Sequence, residues 1–132
     1  MEMEYGLPRD ALPTAFAELR RLVERLPFKV MFPVEVRFTA EDDTWLSHGY
    51  GRDSAYIAIH QFVGMPYEAY FRGFEEVATA LGGRPHWGKM HYRDAASLSG
   101  VYPRFDDFLA VRNRLDPDRV FANPYLDRVL GP

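Results

Sequence analysis

A chain of 132 residues is long enough for one domain with its own core, and 47% hydrophobic residues with 15% aromatics predict a globular fold whose aromatic load fills a core or a surface meant to be covered. The 16 basic and 19 acidic residues leave a net charge of -3 with no Lys/Arg run, which excludes a nucleic-acid footprint, and the absence of cysteine excludes disulfides, thiolate metal sites and a Cys nucleophile. No apolar stretch is long enough for a bilayer and the acidic start is no signal peptide, so a cytoplasmic location is expected, with any peripheral membrane contact left to a partner domain.

Met1, Met3 and Tyr5 alternate with Glu2 and Glu4, the period of a strand. That strand begins at the first residue, as expected for a piece of a longer chain. Gly6-Leu7-Pro8 is read as its break, and Asp10 as the N-cap of a helix that tolerates Pro13 in its first turn. Leu12, Phe16, Leu19, Val23 and Leu26 follow at helical spacing until Pro27.

Phe28 to Ala40 reads as extended structure interrupted by Pro33. Val34, Val36 and Phe38 share one face, and Glu35, Arg37 and Thr39 share the other. A polar loop from Glu41 to Ser54 leads to a second strand over Tyr56 to Val63. Pro66 opens a helix with a wide apolar stripe of Tyr67, Tyr70, Phe71, Phe74, Val77, Ala78 and Leu81, and Gly82-Gly83 stops it. A short segment, Arg84 to His91, precedes three more helical stretches: one capped by Asp94, one from Phe105 to Leu115, and one started by Asn123-Pro124.

This order predicts an α+β fold with one antiparallel sheet, helices on one of its faces and a single domain over residues 1–132. The other sheet face, carrying Glu, Arg and Thr, meets water or forms the wall of a cleft.

The run Arg84-Pro85-His86-Trp87-Gly88-Lys89 is the most distinctive. Read as extended, it points Trp87 and Lys89 one way and His86 the other, with Gly88 allowing a flat ligand close to the backbone. Taken alone, it also reads as a turn with Trp87 in the core and Lys89 in water. Glu35 and Arg37 lie side by side on one strand face. A carboxylate and a guanidinium suit a polyhydroxylated ligand, and they equally suit a solvated ion pair. His60 ends the second strand on the face of Tyr56 and Ala58. The spacing of His48, His60, His86 and His91 matches no metal motif, and no phosphate-cradling glycine motif is present.

Four runs together resemble the C-terminal part of the aldonolactone oxidase family, which includes gulonolactone oxidases and dehydrogenases, arabinonolactone oxidase and alditol oxidase. They are MEMEYGLPRD, PVEVRFTAEDDTWLS, GGRPHWGKMH and YPRFDDFLAVRNRLDPDRVFANPYLDRVLG, and they cover nearly the whole chain. The resemblance implies a flavoprotein of the vanillyl-alcohol-oxidase type, of which this chain is the substrate (cap) domain. FAD would be held mainly by a separate domain, supplied in cis or in trans. It also implies that Lys89 and His86 meet the cofactor. Glu35, Arg37, His60 and Lys89 would line the pocket of a small sugar lactone or polyol, and Lys89 and Glu35 would take part in catalysis. Gln61 and Phe62 stand where alditol oxidases carry a threonine, so a lactone is favoured over a polyol. The remaining alternative is a stand-alone binding or interaction module whose exposed sheet favours self-association.

Overall fold

The computed structural model describes all residues, 1–132. Ten elements follow in order: β1 (Glu2–Pro8), a 3₁₀ turn (Arg9–Ala11), α1 (Leu12–Arg25), β2 (Glu35–Thr39), β3 (Ser54–His60), α2 (Glu68–Ala80), β4 (Arg84–Pro85), α3 (Ala95–Ser99), α4 (Phe105–Leu115) and α5 (Pro124–Leu130). The four strands form one antiparallel sheet in the order β2-β3-β1-β4. This is the α+β architecture that the alternation of periods predicts.

The period-2 pattern of β1 decides where the core sits. Met3, Tyr5 and Leu7 pair across the sheet with Ile59, Ile57 and Ala55 and are fully buried. On that face they meet Ala15 and Leu19 of α1 and Tyr70, Phe71, Phe74 and Ala78 of α2. Each large side chain buried here stabilises the fold by roughly 1.5–3 kcal/mol. Tyr5 meets Phe74 edge to face at 5.9 Å, and its hydroxyl donates to Glu75 at 2.5 Å, so its polar end is satisfied.

A second, smaller core gathers Leu98, Tyr102, Phe105, Val129 and Leu130 from α3–α5 around Trp87 and Leu46. Arg84 ties it to the sheet. The guanidinium donates to the carbonyl of Val101 at 2.7 Å and to those of His48 and Tyr50 at 2.9 Å each. The Tyr102 hydroxyl donates to the Pro85 carbonyl at 3.2 Å. No helix is long and apolar enough to cross a membrane.

Several boundaries differ from the sequence reading, each for a local reason. Gly6-Leu7-Pro8 does not break β1; all three residues pair with β3. A Cβ on Gly6 would come within 3.0 Å of the His48 Cβ and 3.2 Å of the Tyr56 ring, so this glycine serves a close approach rather than a turn. Asp10 does not cap α1. It lies in the 3₁₀ turn, and α1 starts without a side-chain cap, its Pro13 using the free first turn. Phe28 to Val34 stays irregular, leaving β2 only five residues long. The strand read from Tyr56 starts at Ser54 and ends at His60, because Gln61 folds back to donate to the Pro66 carbonyl and accept from the Phe62 amide. The Asp94 cap is complete: its carboxylate accepts from the Ser97 amide while Ser97 Oγ accepts from the Asp94 amide. Asn123 caps α5 as expected.

Candidate functional site

Side chains that alternate away from the core share the open face of the sheet. β1 contributes Glu2 and Glu4, β3 contributes Tyr56, Ala58 and His60, and β2 contributes Glu35, Arg37 and Thr39. Register sets their neighbours. Glu4, Ala58 and Glu35 lie in one row across three strands; Gly6, Tyr56 and Arg37 lie in the next; Glu2 faces His60.

Lys89 joins them from the turn that follows β4. The amides of His86 and Met90 donate to the carbonyls of Glu4 and Glu2 at 2.9 and 3.0 Å, so the segment runs beside β1 and bulges between those two points. The Lys89 ammonium bonds to both Glu2 and Glu4. The other oxygen of Glu4 accepts from Arg37, and His60 Nε2 lies 3.2 Å from Glu2. The result is one line of alternating groups: Arg37, Glu4, Lys89, Glu2, His60.

Burial differs along that line. The Glu4 side chain is 1% exposed, Lys89 is 18% exposed, and Arg37 is 54% exposed. Burial alone would raise the Glu4 pKa, but hydrogen bonds from Lys89 and Arg37 outweigh it and hold the carboxyl below its ordinary range. The Lys89 hydrogen bond does the same for Glu2. Burial pulls the Lys89 pKa down, and its two carboxylate partners more than reverse this. Lys89 therefore stays an ammonium, and it is one flanked by two anions rather than a bare charge.

The sequence-predicted residues separate into three groups. Lys89, Arg37 and His60 come together through Glu2 and Glu4. Glu35 shares their face, but Arg37 does not pair with it; the guanidinium reaches across β3 to Glu4 instead. His86 stands apart. Its ring stacks on His48 at 5.3 Å, and its Nδ1 accepts from the Gly88 amide at 3.1 Å.

Trp87 and Lys89 do not share a side, because the segment turns rather than extends. Trp87 enters the second core, 5.0 Å from the Tyr102 ring, and donates from its indole to the Leu46 carbonyl at 2.9 Å. A Cβ on Gly88 would meet nothing nearer than the His86 ring at 3.5 Å, so no neighbour within this chain requires a glycine at that position.

Glu2 and Glu4 are the functional candidates that the motifs passed over. Their signal was present: two carboxylates on the non-core side of a strand whose other side is apolar. At Glu4, which is 1% exposed, no solvent is left to turn to, so its carboxylate demands cationic partners.

Lys89 and Glu2 also border a cleft of about 450 Å³ shared with His91, Tyr125 and Arg128. The largest cleft, about 620 Å³, lies at Phe28, Met65 and Tyr67 and holds none of the side chains of the charged line. Phe32 and Phe62 form an aromatic border at the other end, with Phe32 4.9 Å from the His60 ring.

Comparison with known proteins places this geometry in context. The sequence model of the family described as D-arabinono-1,4-lactone oxidase matches residues 1–129. An L-gulono-1,4-lactone dehydrogenase of Mycobacterium tuberculosis is 56% identical over 131 residues, covering 99% of this chain and 31% of that protein. An L-gulonolactone oxidase of Bos taurus is 37% identical, covering 96% of this chain and 30% of its own. An alditol oxidase of a Streptomyces species is 36% identical, covering 98% and 31%. The chain thus spans less than a third of the length of each of these relatives.

Proposed function

This chain belongs to the D-arabinono-1,4-lactone oxidase family, and on that premise we propose that it forms the substrate-facing wall of an FAD-dependent oxidoreductase acting on a sugar 1,4-lactone. The observation that carries the reading is the open sheet face, where Arg37 and Lys89 converge on Glu4 beside Glu2, Glu35 and His60. A polar wall of this kind, opposite a fully apolar one, is what a hydroxylated ligand requires.

The residues fit a flavin at one point that the structure supports. An ammonium has three N–H donors, and Glu2 and Glu4 take two of those on Lys89. The third remains for an acceptor on the edge of the isoalloxazine. A bound flavin would supply the two-electron acceptor for oxidation of the substrate carbon. Lys89 would hold positive charge at that edge, and His86 would border it.

The rest of the chemistry belongs to this chain's side chains. Arg37 has donors to spare beyond the one given to Glu4, and these suit the ring or carbonyl oxygen of a lactone. Glu35 is exposed and makes no ion pair, so its carboxylate is free to accept a substrate hydroxyl and take up the proton released as the carbon is oxidised. His60 is held by Glu2 and closes the aromatic end of the wall. Gln61 is buried with its amide bonded to Pro66 and Phe62, so it offers a polyol no hydroxyl-binding group next to His60. This supports a lactone over an open polyol.

The test is to co-purify this chain with the remaining portion of the Mycobacterium tuberculosis relative, load FAD, and follow flavin bleaching anaerobically. L-gulono-1,4-lactone or D-arabinono-1,4-lactone should reduce the flavin, xylitol should do so more slowly, and the 132-residue chain alone should show no turnover. An FAD-loaded assembly that no lactone reduces defeats the proposal.

A further inference from the structure

Glu4 has a place in the molecule that no other carboxylate shares. It lies on β1, between β3 and β4, and its side chain is almost completely enclosed. Each of its oxygens meets a different cation: one takes Arg37, which starts on edge strand β2, and the other takes Lys89, which starts beyond edge strand β4. The two cations therefore approach from opposite edges of the sheet and stop on the two sides of a single carboxylate.

Neighbouring strands lie about 4.8 Å apart, so Arg37 must cross the full width of β3 to reach Glu4. The residue in its way, Ala58, faces the same side and pairs with both Glu4 and Glu35. Its single methyl group leaves a lane for the guanidinium. Glu2 cannot replace Glu4 in this arrangement. It meets Lys89 and His60 but not Arg37, and it is considerably more exposed.

We propose that Glu4 is a positioning residue whose buried carboxylate fixes the separation of Arg37 and Lys89 on the ligand-facing side of the sheet. The proposal rests on the reading of that face as the wall met by flavin and lactone. Glu4 itself touches neither ligand; both of its oxygens are already taken. Its contribution is to hold two donors at one spacing, so that one meets the cofactor edge while the other meets the substrate oxygen.

Lys29 and Lys89 are the chain's lysines, which allows a direct test. Lysine labelled with ¹³C at Cε and ¹⁵N at Nζ gives two side-chain signals without altering either ammonium, the exposed Lys29 serving as internal comparison. In Glu4→Gln, the Lys89 signal should titrate at lower pH than in the wild type, while Glu35→Gln should leave it in place. In Arg37→Gln, a substitution at a largely exposed side chain, Lys89 should titrate at higher pH because Glu4 then serves it alone. An Lys89 signal that ignores both Glu4→Gln and Arg37→Gln overturns the proposal whatever the activity. Should Glu4→Gln fail to fold, the Arg37→Gln titration decides alone.

The same variants are then measured in the FAD-loaded assembly. Glu4→Gln should lower kcat at least tenfold with flavin content unchanged. Glu4→Asp, which keeps the charge but withdraws it by one methylene, should recover less than half of the loss. Full recovery in Glu4→Asp would overturn positioning in favour of charge alone. If Lys89 responds to Glu4 but the wild-type assembly reduces no flavin with lactone, the reading of the face has failed, and the positioning role fails with it.

Discussion

Trp87 and Lys89 are two residues apart and serve opposite sides of the molecule: the indole donates to Leu46 within the second core, and the ammonium bonds to Glu2 and Glu4 on the open face of the sheet. One turn thus joins the packing of α3–α5 to the charged line. The two roles separate by measurement. Trp87→Ala should cost about 2–4 kcal/mol in urea unfolding, through lost packing and an unsatisfied Leu46 carbonyl. Lys89→Met should lower the rate of flavin reduction in the assembled enzyme by about a hundredfold or more. Wild-type turnover in Lys89→Met would remove the lysine from the chemistry.

Acid should destabilise this chain in two successive windows. Burial, helped by His86, pushes His48 down to about 4, and burial, helped by Arg128 and Arg93, pushes His91 down to about 4. An unfolded imidazole binds its proton near 6.5. Between about 6.5 and about 4 the unfolded state therefore holds more protons, and stability falls as pH falls. Each histidine contributes on the order of 3 kcal/mol at most across that window. His91→Gln keeps an N–H for the Tyr125 hydroxyl while removing the titration, so its decline between pH 6.5 and 4 should be visibly shallower. Glu2 and Glu4 take over at the lower end of this range. Their folded pKa values lie under the ordinary 4.5, so their stabilisation is in place above 4.5 and lost as pH falls through the lower folded values.

The lane over Ala58 makes a steric prediction. Ala58→Leu should displace Arg37 from Glu4 and raise KM for the lactone about tenfold, whereas Ala58→Gly should change it by less than about twofold. The two KM values, measured beside thermal unfolding, distinguish a blocked lane from a damaged sheet.

Strand β2 ends the sheet with an unpaired edge, and Phe38 upon it is 54% exposed. Such an edge favours another strand. Sedimentation of the isolated chain should show concentration-dependent self-association, and Phe38→Lys should abolish it. A monomer at all concentrations would show that Arg9, whose guanidinium lies 5.2 Å from the Phe38 ring, is cover enough.

Much of the framework was legible because burial obeys period. The alternation in β1, the stripe of α2 and the caps at Asp94 and Asn123 each follow from local spacing, and the structure places them accordingly. The polar face of β2 was legible for the same reason. What local spacing could not provide was partnership. Arg37 has Glu35 two residues away and takes Glu4, 33 residues away, because strand order brings β1 within reach over a small residue. Gly6 has the composition of a break and the environment of a close contact, and only His48 and Tyr56, both distant in sequence, reveal this. The direction of Trp87 depended on whether the segment extends or turns, and that is decided by the backbone carbonyls of β1.

The Tyr125 hydroxyl, on α5, donates to the Trp87 carbonyl at 2.5 Å and lies 3.0 Å from His91 Nε2. The last helix is thereby a clasp on the loop that presents Lys89 to Glu2 and Glu4. Trimming the chain just before Asn123 would leave every member of the charged line in the polypeptide and still unfasten Lys89, so a lesion in the last helix would register on the far side of the molecule, at the sheet face.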